Sequence, residues 1–168
     1  MKIGAKVFLF LISCLVVSCL KKDEYSNIPN IEYESFTKIN NINGIDNRGI
    51  LRIKFSDGDG DIGLSDNDII YPYDYNLFIK FLEKQKGVWV EPKIANGDDT
   101  TYFSFNSRIP IITPVGENKS VKGVIEDTVF INNFLSPFDT ICFEIYIKDR
   151  ALNSSNTIRT TDIIVNKN

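Results

Sequence analysis

Short runs of alternating apolar and polar residues dominate the chain from residue 31 onward. In the segment 49–55, leucine, isoleucine and phenylalanine occupy every second position, with arginine and lysine between them. The segment 140–148 repeats the alternation with isoleucine and phenylalanine. A period of two is typical of a β-strand with one buried face. These segments therefore predict two strands of a hydrophobic core.

The remaining patterns extend this prediction to the whole domain. Turn-forming residues separate further strands, predicted at 31–39, 75–83, 88–92, 101–106, 120–125, 129–131 and 157–165. Seven or eight short strands at regular spacing, with almost no helical periodicity, favour an all-β fold. We predict an immunoglobulin-like antiparallel β-sandwich over residues 31–168.

The first 30 residues have a different character. Two lysines precede an apolar run that is too short for a comfortable membrane span, so residues 1–18 are predicted to be a signal peptide. The run ends in a sequence that resembles a bacterial lipobox, in which Cys19 becomes diacylated. Cys14 also fits the pattern but leaves a very short apolar region, and an ordinary cleaved signal is the alternative. Residues 19–30 are then the lipidated cysteine and a polar tether.

Composition narrows the function. The 168-residue sequence contains no histidine, which excludes Ser-His-Asp catalysis, Cys-His catalysis and histidine-bound zinc. A net charge of −3 gives nucleic-acid binding no electrostatic support. Cys142 is the one cysteine of the predicted domain, and without a histidine partner it is interpreted as a structural thiol. We therefore predict that the protein is not an enzyme.

The segment after the predicted strand 49–55 is the strongest candidate site. Asp57, Asp59 and Asp61 alternate with glycines, which allow the backbone to curl so that the carboxylates converge. Counted from Asp57, they occupy the first, third and fifth positions of an EF-hand loop, and Asp68 occupies the twelfth. Oxygen ligands without histidine favour Ca²⁺ over transition metals. The loop therefore predicts a structural Ca²⁺ site as the cofactor site, and a solvated Asp/Gly turn is the alternative.

The loop departs from an EF-hand in two ways. Ile62 stands at the sixth position, where a glycine is usual, and Asp68 is a shorter acid than the usual bidentate glutamate. No flanking helices are expected, because a predicted strand precedes the loop. Asp149 and Asn153 are candidates to complete the site if the loop before the last strand lies at the same end of the sandwich. The alternative for them is a capped turn in which Asp149 pairs with Arg150 or the backbone.

Three motifs together resemble a known family. They are the sequence Asp-Gly-Asp-Gly-Asp-Ile-Gly after a strand, the tripeptide Arg108-Ile109-Pro110, and a terminal strand pair joined by residues 148–156. They resemble a family of small uncharacterised Bacteroidetes surface lipoproteins, and the resemblance covers most of the predicted mature chain. The charged residues 21–24 beside Cys19 also resemble the export signal of such proteins, with a solvated linker as the alternative. The resemblance implies an immunoglobulin-like fold and an outer-membrane, surface-exposed location.

Aromatic residues suggest a second function. The candidates for a platform on which sugar rings stack are Trp89 and Tyr73, together with Tyr71 and Tyr75, although aromatics in a sandwich are more often core or interface. The sequence thus predicts a non-catalytic, membrane-anchored lipoprotein whose calcium-stabilised domain binds an unknown protein or glycan. The alternative is a carbohydrate-binding accessory module of an outer-membrane glycan uptake system.

Overall fold

The computed structural model describes residues 25–96, 99–112 and 120–167, and these form an all-β fold. The predicted signal peptide and Cys19 lie outside the described residues. Within the described ranges, no helix is long and apolar enough to cross a membrane. The ten strands are β1 (Asn30–Asn40), β2 (Asp46–Asp57), β3 (Leu77–Gln85), β4 (Val88–Val90), β5 (Lys93–Asn96), β6 (Asp99–Tyr102), β7 (Val121–Phe130), β8 (Thr140–Ile147), β9 (Ile158–Arg159) and β10 (Ile163–Ile164).

The strands form two principal antiparallel sheets. One has the order β1-β2-β7, and the other has the order β10-β8-β3-β4 with β9 also paired to β8. One sheet places β7 beside β2, and the other places β8 between β3 and the last strands, which is the strand order of an immunoglobulin-type sandwich. The predicted all-β sandwich is therefore confirmed.

Alternating residues of both sheets build the core between them. In β2, Leu51, Ile53 and Phe55 are buried, as the sequence pattern predicts. In β8, the isoleucines and Phe143 of the predicted inner face are fully buried. The rings of Phe36 and Phe143 meet across the sheets with their centroids 5.8 Å apart. The core thus joins the two sheets through the residues whose period predicted the strands.

Three predicted elements differ from the observed ones. β7 runs unbroken from Val121 to Phe130, where we expected two segments, because Glu126 and Asp127 stay within its ladder with β2. The last strand is divided into β9 and β10, and between them Thr160 Oγ1 accepts a hydrogen bond from Phe143 N. The predicted strand 101–106 contributes only its first part to a β5–β6 hairpin.

Strand directions give the sandwich two distinct ends. The start of β1, the end of β2, the start of β3, the start of β7 and the end of β8 lie together, because Asn30 pairs beside the end of β2 and Leu77 pairs with Ile147. We call this the acidic end, since the Asp/Gly loop follows β2 there. The opposite end holds the β1–β2 turn, the β3–β4 hairpin and the segment 131–139 that follows β7.

Candidate metal centre

The Asp/Gly loop is held in place by the core and by its own turns. Ile62 is fully buried in the hydrophobic core, which explains why a glycine is absent at this position. Gly63 instead takes the left-handed conformation, with φ of +117°, and a Cβ there would lie 2.4 Å from Pro110 O. Asp61 N donates to Asp57 Oδ2 at 3.0 Å and closes the loop on itself. The loop is therefore a fixed part of the sandwich.

This geometry brings the first three predicted ligands together. One carboxylate oxygen from each of Asp57, Asp59 and Asp61 lies within 4.8 Å of the others, so the three residues can hold a metal ion. Asp57 is fully buried. The Oδ1 atoms of all three are also buried, and no donor among the described residues hydrogen-bonds to them. Such oxygens require a partner, because a buried unpaired carboxylate is strongly disfavoured.

The electrostatics of the cluster are unfavourable without added positive charge. Burial, followed by the negative charges of Asp59 and Asp61, raises the pKa of Asp57 to about 6. Burial and the charges of Asp149 and Asp59 also raise the pKa of Asp61. A cation at the centre of the cluster would reverse these shifts, because it favours the ionised carboxylates.

The loop after β8 contacts the cluster, so it lies at the same end of the sandwich as the Asp/Gly loop. Arg150 N donates to Asp61 O at 3.2 Å, and Ala151 N donates to Asp61 Oδ2 at 3.1 Å. Asp149 is buried beside the cluster, but its two oxygens accept hydrogen bonds from Asn153 N at 2.7 Å and Asn153 Nδ2 at 2.8 Å. Asp149 and Asn153 thus form the predicted alternative, a capped turn, and add negative charge next to the three ligands.

Asp68 lies outside the three-carboxylate group, contrary to its predicted place as a fourth ligand. Its Oδ2 accepts hydrogen bonds from Ser65 N, Ser65 Oγ and the Arg150 guanidinium, at 2.7, 2.9 and 2.6 Å. These donors lower the pKa of Asp68 to about 2. Protein donors already bind this carboxylate. The residue at the twelfth position of the EF-hand pattern therefore does not join the other three carboxylates.

Trp89 and Tyr73 do not form one aromatic surface. Tyr73 precedes β3 at the acidic end, whereas Trp89 pairs with Lys84 near the far end of the same strand. The ammonium of Lys84 and the guanidinium of Arg159 lie 5.4 and 5.7 Å from the centre of the indole ring. The two residues therefore do not share one surface, and sugar binding by either of them stays a prediction.

Two features of the acidic end were missed from the sequence. Gly58 N donates to Ser26 O at 2.7 Å, so the segment preceding β1 lies against the acidic loop. The Arg108 guanidinium donates to backbone carbonyls of the loop between β2 and β3, including those of Asp74 and Ser65 at 2.9 and 2.7 Å. Neither contact could be predicted from a local sequence pattern, because each joins segments that are far apart in the chain.

Comparison of the chain with models of protein families, with curated proteins and with solved structures finds no match. The resemblance to Bacteroidetes surface lipoproteins therefore stays a prediction.

Proposed function

We propose that the protein is a non-catalytic lipoprotein of the cell envelope whose β-sandwich binds a structural Ca²⁺ at the acidic end. In this proposal Asp57, Asp59 and Asp61 are the ligands, and the lipid on Cys19 anchors the chain to the outer membrane. The ion orders the loops that meet at the acidic end, and the anchored domain displays a binding surface to a partner.

One observation carries the calcium proposal. One carboxylate oxygen from each of Asp57, Asp59 and Asp61 lies within 4.8 Å of the others at the end of β2, and the buried Oδ1 atoms of these residues have no hydrogen-bond donor among the described residues. Ca²⁺ accepts six to eight oxygen ligands in variable geometry, so waters and backbone carbonyls can complete its shell. Mg²⁺ requires a near-ideal octahedron and gives up its waters reluctantly, which disfavours it in a loop fixed by the core.

Two further observations support a non-catalytic role. The sequence has no histidine to act as a general base. Cys142 is fully buried in β8, and burial raises the pKa of its thiol to about 11. A buried neutral thiol is a poor nucleophile. Catalysis by a histidine base or by a cysteine nucleophile is therefore disfavoured.

The calcium site is tested by thermal unfolding of residues 20–168, which include every described strand and core residue. We expect the melting temperature to rise saturably with Ca²⁺ after chelator treatment, and to change little with Mg²⁺. Asp59→Asn should remove the Ca²⁺ response. Asp66→Asn is the matched control, because Asp66 is an exposed carboxylate of the same loop. An unchanged melting temperature in Ca²⁺ would overturn the site.

The anchor is tested separately in a Gram-negative host that expresses the full chain. A clickable palmitate analogue should label the protein, and Cys19→Ala should abolish the label. Cys14→Ala is the control and should keep it. Loss of the label only in Cys14→Ala would move the anchor to that residue.

A further inference from the structure

The acidic end exposes apolar side chains beside the carboxylate cluster. Ile69, Ile70 and Tyr71, which we call the apolar tip, are 69%, 77% and 85% exposed. Ile28 and Ile111 are also exposed at this end, on segments that contact Gly58 and Gly63 respectively. Large apolar groups gathered around one feature are typical of a contact surface.

The exposure of the apolar tip is built into the structure. The Arg108 guanidinium donates to the backbone carbonyls of residues on both sides of the tip, namely Ser65, Asp68, Tyr73 and Asp74. A planar guanidinium that bonds several carbonyls fixes their relative positions. The tip is therefore presented by a fixed loop, and its side chains are not turned inward to the core.

Hydrogen bonds connect the tip to the cation ligands. Arg150 N donates to Asp61 O at 3.2 Å. The guanidinium of the same residue donates to Asp68 Oδ2 at 2.6 Å, immediately before Ile69. An ion that positions Asp61 therefore also positions Arg150 and the start of the apolar tip.

The chain enters the domain at the same end. Ser26 O accepts the hydrogen bond from Gly58 N between two of the ligands, and a Cβ at Gly58 would lie 2.2 Å from Tyr25 O. Only five residues lie between Cys19 and Tyr25, so a fully extended tether spans at most about 22 Å. A lipid on Cys19 would thus hold the acidic end close to the membrane.

We propose that the apolar tip docks on the lipid surface to which the chain is anchored, and that cation binding at the carboxylate cluster controls this docking. The inference rests on the proposed function, both for the cation and for the lipid on Cys19. Isoleucine and tyrosine suit the boundary between headgroups and acyl chains. Without a cation, the clustered aspartates repel anionic headgroups. The two positive charges of a bound Ca²⁺ offset most of the charge of the three carboxylates, so that repulsion is reduced.

The test measures cosedimentation of residues 20–168 with vesicles of phosphatidylcholine and phosphatidylglycerol, in Ca²⁺ and in chelator. We expect binding in Ca²⁺ that weakens more than about tenfold in the double variant Ile69→Ser/Ile70→Ser. The control is Ile42→Ser/Phe134→Ser, which removes two exposed apolar residues at the opposite end. All four side chains are exposed, so both variants should keep the melting temperature of the parent chain.

The outcomes separate this inference from the calcium site. Vesicle binding that needs Ca²⁺ and is lost only in the apolar-tip variant supports docking. A saturable Ca²⁺ shift of the melting temperature without vesicle binding overturns docking and leaves the calcium site standing, and it assigns the surface to another partner. Binding that is equal in chelator, or unchanged in Ile69→Ser/Ile70→Ser, also overturns the inference. Absence of both responses overturns both proposals.

Discussion

Glu83 and Asp57 are both fully buried carboxylates at opposite ends of the sandwich, but they differ in the hydrogen-bond donors that the chain supplies to them. At the opposite end, Glu83 accepts hydrogen bonds from Asn133 Nδ2 and Ser136 Oγ, each at 2.9 Å. At the acidic end, Asp57 accepts one from Asp61 N, and its second oxygen has no donor among the described residues.

The two ends also differ in the sign of the charges that lie next to a buried carboxylate. At the opposite end, Asp46 also has one oxygen without a donor, but its other oxygen lies 2.5 Å from the ammonium of Lys38. At the acidic end, the charges that act most strongly on Asp57 are those of other aspartates. The chain therefore gives Glu83, Asp46 and Asp149 a side-chain partner, whereas the buried Oδ1 of Asp57 has no donor among the described residues. A cation from solution is the simplest partner for the aspartate cluster at the acidic end.

The largest effect is expected where the chain supplies its own partners. Glu83→Ala leaves Asn133 Nδ2 and Ser136 Oγ without their acceptor, which should lower the free energy of unfolding by about 2–4 kcal/mol. Chemical denaturation should give the same loss in Ca²⁺ and in chelator. Glu32→Ala, at an exposed position of β1, is the control. A loss below about 1 kcal/mol would remove the contrast between the two ends.

Neutralising the buried Asp57 at the acidic end should raise the free energy of unfolding in the absence of Ca²⁺. Asp57→Asn keeps an oxygen to accept the bond from Asp61 N and removes a charge that the site disfavours. In chelator we expect the free energy of unfolding to rise by roughly 1–3 kcal/mol at pH 7. In Ca²⁺ the variant should lose the stabilisation that the parent chain gains. Destabilisation in chelator would show that the chain already stabilises the ionised Asp57.

The pH dependence sharpens the same comparison. The pKa of Asp57 is raised from 3.8 to about 6, so the folded chain retains a proton that the unfolded chain has lost between these values. The resulting stability is fully present below about pH 4 and is lost as the pH rises through about 6. In calcium-free buffer, the stability of the parent chain relative to Asp57→Asn should fall across this window. Saturating Ca²⁺ should reverse the fall at pH 7, and a flat difference without Ca²⁺ would contradict the assigned cause.

The local part of this molecule could be predicted from sequence. The alternation of apolar and polar residues around Leu51 and Phe143 predicted two strands correctly, because this pattern depends only on residues that are close in the chain. The glycine spacing brought Asp57, Asp59 and Asp61 together for the same reason. The position of Asp68 could not be predicted this way, since its partner Arg150 is 82 residues away.

The separation of Trp89 from Tyr73 could not be predicted for a similar reason. The sequence shows that both residues are aromatic and close to β3, but not that they lie near different ends of it. Strand length alone separates them, because each strand residue advances the chain by about 3.3 Å. Lys84 and Arg159 reach the indole only through strand pairing, which no local pattern reveals.

The smallest expected effect concerns Asp68 and tests the boundary of the site. Asp68→Asn keeps an acceptor for Ser65 N but removes the charge paired with the Arg150 guanidinium. Because that pair is partly exposed and screened by solvent, the loss of stability should be the smallest of those expected here. Calcium affinity, measured by titration calorimetry, should change less than about threefold, whereas loss of a direct ligand such as Asp59 should weaken it far more. A large loss of affinity in Asp68→Asn would place this carboxylate in the metal shell after all. Retained affinity would confine the ligands to the three aspartates that the core holds together.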